Sequence, residues 1–271
     1  MSWILALLAP LWGGLIYGVE RKMRARMQRR QGPPLLQPFY DMFKLMEKRT
    51  LIIHSTHAML AVAHFLALWL VVAALFTGWN LLYIVFLHLA ALIILVMAGY
   101  SVRSPYSHLG ANRELLALVA YEPIMIMVAV GFYLVSGSFD VSAIMEGGGY
   151  LGQMPLLLIA FLIIVPLKVK KSPFDTVEGH QEIVGGVEIE YSGLFYEFLY
   201  MARFLEYIFV YGVILLFGGA DWWLGLGLAL AAFAAVNVVD NATARVRSDQ
   251  MLRIVYGSAF ILAALNLMWL V

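Results

Sequence analysis

Cysteine is absent from this chain. Its absence excludes disulfides, thiolate metal sites and cysteine-ligated iron–sulfur clusters among these residues, so any electron-carrying cofactor has to lie in a partner. Charge is scarce as well: 13% of the 271 residues are charged, against about a quarter in soluble domains. No P-loop, metal-ligand spacing or nucleophile-elbow pattern occurs, so we expect no catalytic residue and no metal site in this chain.

The chain contains long apolar runs instead. Hydrophobic residues make up 63% of the chain and the mean hydropathy is +0.85. Most runs are long enough to cross a hydrocarbon core of about 30 Å at about 1.5 Å per helical residue. We therefore predict an all-α integral membrane protein, a single polytopic domain over residues 1–271. Its spans, about eight, are predicted at residues 2–19, 57–77, 79–99, 115–135, 151–167, 195–218, 222–240 and 252–271.

A shorter stretch, residues 35–46, has a different pattern. Phe39, Met42, Phe43 and Met46 recur at helical spacing, with polar residues between them. This spacing predicts a short amphipathic helix that lies in the membrane interface.

Basic residues predict the orientation. If the spans alternate, residues 20–56, 100–114, 168–194 and 241–251 share one side, and these loops with the adjoining Arg253 hold all but one of the 18 Lys and Arg residues. The exception, Arg203, lies inside a span. By the positive-inside rule the basic loops should be cytoplasmic and both termini should lie outside. Beside a span, the basic run 21–30 indicates orientation and not nucleic-acid binding.

A few charged residues interrupt the spans, where each costs roughly 2.5–3.5 kcal/mol at a helix centre. Glu122 has no evident cation nearby, which favours a protonatable relay group over a structural acid. Arg203 and Glu206 lie one helical turn apart. A pair that only neutralises its own charges is as good an interpretation as a functional role. Asp240 is expected at the interface. His64 and His88 are expected to form hydrogen bonds between helices.

The loop at residues 168–194 is unusually acidic. A solvated loop tolerates such a run, but the apolar and glycine residues between the acids also allow close packing. Clustered, buried carboxylates raise one another's pKa, which a proton relay requires. The acids are Asp175, Glu178, Glu182, Glu188 and Glu190.

Three stretches of the chain carry a family resemblance. They are Gly32-Pro33-Pro34 with Leu36-Gln37-Pro38, Asp41 and Lys44-Leu45; Arg113 with Tyr121-Glu122-Pro123; and Pro173-Phe174-Asp175 with Glu178, Glu182-Ile183-Val184, Gly186 and Glu190-Tyr191. In this order they resemble the membrane protein of complex I that is known as subunit 1 or the H subunit.

The resemblance implies a subunit that docks a soluble electron-transfer arm and forms an acidic path into the membrane. The path would comprise Glu122, Asp175, Glu178, Glu182 and Glu190, and we add the intramembrane residues Arg203 and Glu206. Docking would use the basic run and the first motif: Arg24, Arg26, Arg29, Arg30, Gln37, Asp41 and Lys44.

Two departures from the family pattern bear on the branch. His180 stands where quinone-reducing members commonly have a Glu, and Ala202-Arg203-Phe204 stands near their usual Ala-Glu-Tyr. These departures favour membrane-bound energy-converting [NiFe]-hydrogenases, formate hydrogenlyases and related sulfur reductases. The implied partners are hydrogenase-like large and small subunits, iron–sulfur proteins and antiporter-like membrane subunits, in a bacterial or archaeal cell membrane.

Three alternatives remain open. The chain could be the quinone-binding subunit of an NADH- or ferredoxin-quinone oxidoreductase. It could be a stand-alone ion-coupled transporter, although inverted repeats and broken helices are not evident. It could also be an anchor whose acids only dock the soluble arm.

Overall fold

The computed structural model describes the backbone of residues 2–271, and the side chains of these residues except Ser2 and His180. The described chain is almost entirely helical. Its α-helices are α1 (Ser2–Leu7), α2 (Ala9–Met27), α3 (Gln37–Glu47), α4 (Ser55–Thr77), α5 (Leu81–Tyr100), α6 (Pro105–Ser136), α7 (Val141–Glu146), α8 (Tyr150–Gln153), α9 (Pro155–Lys168), α10 (His180–Ile183), α11 (Gly193–Leu216), α12 (Trp222–Ala242), α13 (Ser248–Ile254) and α14 (Ile261–Leu270). A 3₁₀ turn occupies Gly186–Glu190, and a π-helical segment, Val255–Phe260, joins α13 to α14.

Within residues 2–271, six helices are long and apolar enough to cross a membrane: α4, α5, α6, α11, α12 and the continuous segment Ser248–Leu270. They match six of the predicted spans. α9 is apolar but shorter. These helices confirm an all-α integral membrane protein with a further short helix, α3, where the amphipathic pattern predicted one.

Two predicted spans differ from the structure, and proline accounts for both. The first predicted span is broken at Leu8 into α1 and α2. Pro10 lacks the amide N–H that would continue the helix, and it lies in the first turn of α2. Pro155 likewise begins α9, so the predicted span 151–167 becomes the short α8 followed by α9.

Local signals set the other helix ends. Asn80 caps α5, since its side-chain oxygen accepts hydrogen bonds from the amides of Leu82 and Tyr83. Gly78 ends α4 and Gly137 ends α6, both in the left-handed conformation that glycine adopts without strain.

α11 lies at the centre of the bundle, packed between α2, α4 and α12, while α6 packs against α5 and α9. In their most apolar windows, 72% of the α11 residues are buried, against 28% for both α12 and Ser248–Leu270. The last two spans therefore form the periphery, with faces left for lipid or a neighbouring subunit.

Loops meet at two opposite ends of the bundle. At one end Asn80 forms a bridge with Asp140, and the amide of Ala220 donates to the carbonyl of Gly147. We call this the acidic end, because its loops carry Asp140, Glu146 and Asp221 without Lys or Arg. At the other, basic end, the loops 20–56, 100–114, 168–194 and 241–251 contact one another.

The loop at 168–194 belongs to the packed interior of the basic end. Most of its apolar side chains are buried, and the 3₁₀ turn packs against α6 and α5. The loop therefore packs between the helices and is not a solvated connection. The buried side chains are Phe174, Val177, Ile183, Val187 and Tyr191.

Candidate functional site

The deepest charged cluster centres on His88 of α5, whose side chain is fully buried. The Nδ1 atom of His88 lies 3.3 Å from Oε1 of Glu122 on α6. The Nε2 atom lies 3.0 Å from Oε2 of Glu206 on α11. One histidine ring thus bridges two carboxylates on different helices, and its stacking on Phe209 at a centroid distance of 4.6 Å fixes its plane.

Lys168 brings a cation into the same cluster. Its Nζ atom lies 3.0 Å from Oε1 of Glu206, 2.8 Å from Nε2 of His88 and 4.3 Å from the ring centre of Tyr121. Because Lys168 ends α9, it ties the start of the acidic loop to three helices. A buried charge is tolerated only when it is paired in this way.

Glu122 is the least satisfied member of this cluster. Its Oε2 atom is buried and has no hydrogen-bond partner among the described residues, while Oε1 makes only the 3.3 Å contact with His88. An unpartnered carboxylate oxygen in an apolar interior is costly unless it takes a proton or a water molecule.

A second cluster lies closer to the basic end and joins the loop to α6 and α11. Arg203 binds Glu178, with Nη2 and Oε1 3.1 Å apart, and it also binds Glu188. Lys170 bridges Glu178 and Glu114 at 3.3 Å to each. Burial lowers the pKa of Lys170, but Glu114 and Glu178 outweigh that effect and raise it overall, which keeps the ammonium charged.

A third cluster forms around Glu20 of α2. Glu20 is almost fully buried, and it accepts hydrogen bonds from Lys171, Arg24 and Tyr207. Arg24 also forms an ion pair with Asp240 of α12, with Nη2 and Oδ2 2.8 Å apart. Burial lowers the pKa of Lys171 more than Glu20 raises it. This cluster connects α2, the loop, α11 and α12.

An outer set of ion pairs closes the loop at the surface, and we call it the latch. Arg245 donates to both carboxylate oxygens of Asp175, at 2.8 and 2.7 Å. Glu182 accepts from Arg113 at 2.6 Å and lies 3.4 Å from Arg245. The hydrogen bond from Arg113 lowers the pKa of Glu182, and Arg245 lowers it further.

A cavity of about 260 Å³ runs between these clusters. Its wall reaches from Asp175 and Arg245 at the latch to His64 and Glu206 deep in the bundle. Roughly half of the residues that line it are charged, whereas pockets for drug-sized or cofactor-sized organic molecules are mostly apolar. The wall suits water and mobile protons.

The predicted path residues are thus distributed over three groups. Glu122 and Glu206 meet at His88, Arg203 and Glu178 meet in the second cluster, and Asp175 and Glu182 form the latch. Glu190 lies apart, at the end of the 3₁₀ turn. Arg203 and Glu206 do not neutralise each other: each pairs with residues of other elements.

The other intramembrane predictions have clear positions. His64 bonds the carbonyl of Ala91 on the neighbouring helix at 2.8 Å, as expected. Asp240 is mostly buried and bound by Arg24 and by the amide of Ser172.

Sequence reasoning missed several members of the site: Glu20, His88, Arg113, Glu114, Lys168, Lys170, Lys171 and Arg245. Glu20 and Glu114 border predicted spans, and Lys168 was assigned to the topology-determining loop residues. His88 was expected to form hydrogen bonds between helices, as it does, but its place in the charged cluster was not predicted. A signal was available for Lys168, because it directly follows an apolar run and needs a buried anion unless its side chain reaches water.

The predicted docking residues divide into two kinds. Arg26, Arg29, Arg30 and Lys44 are exposed. Arg24 is committed to Glu20 and Asp240. Asp41 binds Arg21 at 2.6 Å and Gln37 at 2.8 Å; burial raises its pKa, but the hydrogen bonds from Arg21 and Gln37 outweigh this and lower it.

Among the described residues, no group of three or more His, Asp and Glu side chains is arranged to hold a metal ion. The clustered acids are instead occupied by Lys, Arg and His.

Comparison with known proteins places this arrangement in a family. The profile of the NADH dehydrogenase family matches residues 1–271. The H subunit of NADH-quinone oxidoreductase from Vesicomyosocius okutanii subsp. Calyptogena okutanii is 34% identical in an alignment of 246 positions, and the alignment covers 79% of this chain and 68% of that protein. The protein of the same name from Bordetella pertussis is 30% identical in an alignment of 284 positions, which covers 87% of this chain and 79% of that protein.

A solved structure shares the fold. A chain in the structure of the membrane-bound sulfane sulfur reductase, an archaeal respiratory membrane complex, superposes with a TM-score of 0.87 over 100% of this chain and 98% of that one, at 23% identity. The full-length profile match and the identities to these two relatives lead to one conclusion. This chain belongs to the NADH dehydrogenase family that includes the H subunit of NADH-quinone oxidoreductase.

Proposed function

We propose that this chain is the coupling and anchoring subunit in the membrane arm of a complex I-like respiratory assembly. It docks a soluble iron–sulfur and catalytic arm, and it links the redox reaction there to translocation of H⁺ or Na⁺. The observation that carries the proposal is the series of charged clusters that leads from the latch, along the cavity, to the bridge between Glu206, His88 and Glu122.

The geometry supports a charge relay along this series. The acidic loop supplies the acids of the latch and three of the five residues of the second cluster, so a partner that displaces the loop changes both at once. Lys168 starts the same loop and binds the Glu206–His88 pair. A movement of the loop at the surface therefore changes the surroundings of Glu122, which has the unpartnered oxygen.

The assembly we favour is an energy-converting hydrogenase or a related sulfur reductase. The family relationship supports a complex I-like partner set, and the fold shared with a chain of a sulfane sulfur reductase complex supports this branch. The charged wall of the cavity disfavours the quinone-binding alternative, because a quinone head and tail need mainly apolar contacts. We expect the hydrogenase-like subunits, their iron–sulfur clusters and the antiporter-like subunits in partner chains, and no cofactor in this one.

The orientation is part of the proposal. We place the basic end in the cytoplasm of a bacterial or archaeal cell, because Lys and Arg concentrate in the loops of that end. Both termini then lie on the opposite side of the membrane. Single-cysteine variants test this directly, since the chain has no cysteine to remove. An impermeant thiol reagent should reach Gly148→Cys only from outside, and Gln28→Cys and Gln181→Cys only from inside. The reverse labelling pattern would invert the topology.

The relay is tested by Glu122→Gln in the native complex. Glutamine keeps the size and hydrogen bonding of glutamate but cannot carry the titrating proton. We expect normal assembly and normal redox activity with artificial electron donors, with loss of ion uptake measured in the same proteoliposomes. Full ion uptake by Glu122→Gln would exclude the relay and leave the anchor alternative.

Asp140→Asn and Glu146→Gln provide matched controls. Both acids are exposed at the acidic end, away from the clusters. Each change replaces one carboxyl group by an amide, as Glu122→Gln does, and each should leave assembly, redox turnover and ion uptake unchanged.

A further inference from the structure

The helix that carries Glu122 contains a proline at the next position. Pro123 lies inside α6 and has no amide N–H. In an α-helix that N–H would donate to the carbonyl four residues earlier, which belongs to Val119. The Val119 carbonyl therefore loses its helical partner one turn before Glu122. In a membrane such a group has to find a replacement.

Tyr256 provides the replacement from the last span. Its hydroxyl donates to the Val119 carbonyl at 2.8 Å. The contact joins residues 137 positions apart in the sequence. It is also peripheral, because Val119 is half exposed and Tyr256 is only partly covered.

Tyr256 lies in the π-helical segment Val255–Phe260. A π turn places one more residue in the turn than an α turn, and each residue rotates a helix by about 100°. The wide turn thus shifts the direction in which Tyr256 points relative to the residues of α14 that follow. Segments of this kind are frequently found at functional sites.

The start of the same helix is attached to the acidic loop. Arg245 of the latch precedes α13 by three residues and binds Asp175 and Glu182. The amide of Val246 donates to the carbonyl of Pro173 at 3.0 Å. The last helix therefore contacts the loop at one point and the Pro123 turn of α6 at another.

From these contacts we infer that Tyr256 is a positioning residue, which holds the Pro123 turn, and with it Glu122, at the place set by the last helix and the latched loop. The consequence for ion coupling rests on the proposed function. The hydrogen bond itself does not. Neither His88 nor Lys168 takes part in this second connection, so it links the latch to Glu122 without passing through the deepest charged cluster.

A double-mutant cycle in the intact complex tests the inference. Tyr256→Phe removes only the hydroxyl, and Pro123→Ala restores the amide N–H that bonds the Val119 carbonyl within α6. In the native background Tyr256→Phe should lower the melting temperature of the complex by about 2–4 °C. It should also reduce ion uptake per redox turnover roughly threefold to tenfold, the shift that one lost neutral hydrogen bond produces.

In the Pro123→Ala background the same Tyr256→Phe change should alter neither quantity further, whatever Pro123→Ala does alone. An equal loss of melting temperature in both backgrounds would overturn the inferred contact. A lowered melting temperature with unchanged ion uptake per turnover would overturn the positioning role. Tyr83→Phe, an exposed tyrosine at the acidic end, is the control and should change neither.

The relay proposal fails separately, through full ion uptake by Glu122→Gln. In that case the melting-temperature cycle would still report on the Tyr256 contact, because it does not depend on ion transport.

Discussion

Gly110 of α6 and Gly186 of the acidic loop meet backbone to backbone. A Cβ atom added at Gly110 would lie 2.6 Å from the Cα atom of Gly186, and one at Gly186 would lie 3.1 Å from the Cα atom of Gly110. Gly186 also has a φ of 64°, which disfavours other residues. The loop reaches its position against α6 only because both residues lack a side chain.

Gly110→Ala should therefore displace the loop. We expect the complex to lose coupled turnover and the latch to open, because rigid backbone on both sides cannot yield to a methyl group. Protease sensitivity within residues 172–190 of the membrane subunit would measure the opening. Gly227→Ala on α12 is the control: a Cβ there meets nothing within 4 Å, and alanine favours a helix by about 1 kcal/mol. Loop protection unchanged in Gly110→Ala would contradict this account.

The exposed arginines should dock the soluble arm. Arg26, Arg29 and Arg30 are exposed on the basic end. Charge reversal of all three should release the arm from purified complexes at lower salt than the native protein requires, with the membrane subunit still inserted. Single changes are expected to have little effect, since an exposed pair contributes about 0–1 kcal/mol. The measurement is subunit content after salt washing of membranes.

Arg24→Gln is the contrasting variant. Arg24 binds Glu20 and Asp240 inside the chain, so its loss should lower the thermal stability of the subunit and leave the salt dependence of docking unchanged. If Arg24→Gln and the triple reversal behaved alike, the division into inner and outer arginines would be wrong.

Lys168 should be essential for the stability of the subunit as long as Glu206 is charged. Lys168→Met keeps much of the apolar stem but leaves Glu206 without its ammonium partner, a loss of about 3–5 kcal/mol for a broken buried pair. Combining Lys168→Met with Glu206→Gln removes both charges and should recover most of the melting temperature. Lys48→Met, at an exposed position, should be nearly neutral. Additive losses in the double variant would argue against a Lys168–Glu206 pair.

The latch should open in acid. The pKa of Glu182 is lowered by Arg113 and Arg245. The ionised Glu182 side chain therefore stabilises the latch fully above its unfolded-state pKa of about 4.3, and this stabilisation is lost as the pH falls through the lower pKa of the folded state. Amide exchange over residues 176–184, corrected for the intrinsic pH dependence, should stay constant from about pH 8 to 5 and rise below about pH 4. The effect will be modest, because the Glu182 side chain is 47% exposed.

Amide exchange in the loop should be faster in Glu182→Gln than in the native chain between about pH 8 and 5, and the two should converge below about pH 4. Asp249→Asn removes the acid of an exposed pair with Arg247, and it should not alter exchange in the loop. Exchange that rises already between pH 7 and 6 would assign the opening to another group.

The membrane fold was predictable because hydropathy runs act locally. The contacts of the site were not. Glu20 directly follows a predicted span and Lys171 lies 151 residues later, so nothing in either neighbourhood identifies the partner. Glu122 was recognisable as costly, but His88 as its neighbour follows only from the packing of α5 against α6. The acidic loop was recognisable by composition, while its burial depends on glycines in two separate elements.

Arg203 illustrates the same limit. Its neighbour one turn away, Glu206, is the local choice of partner, and tertiary packing overrides it by offering Glu178 and Glu188 to Arg203 and Lys168 to Glu206. Helical spacing gives the residues that share a face, but a buried charge pairs with whatever the neighbouring elements bring to it.

The acidic end has a mechanical consequence. There the Asn80–Asp140 bridge and the Ala220–Gly147 hydrogen bond tie the short loops together through main-chain contacts. The basic end is joined mostly through long, flexible charged side chains. Backbone ties resist sliding more than side-chain ion pairs do, so the helices should tilt about the acidic end as a fulcrum. Displacements would then grow along each helix toward the basic end, where the lever arm is longest and a docked partner would apply its force.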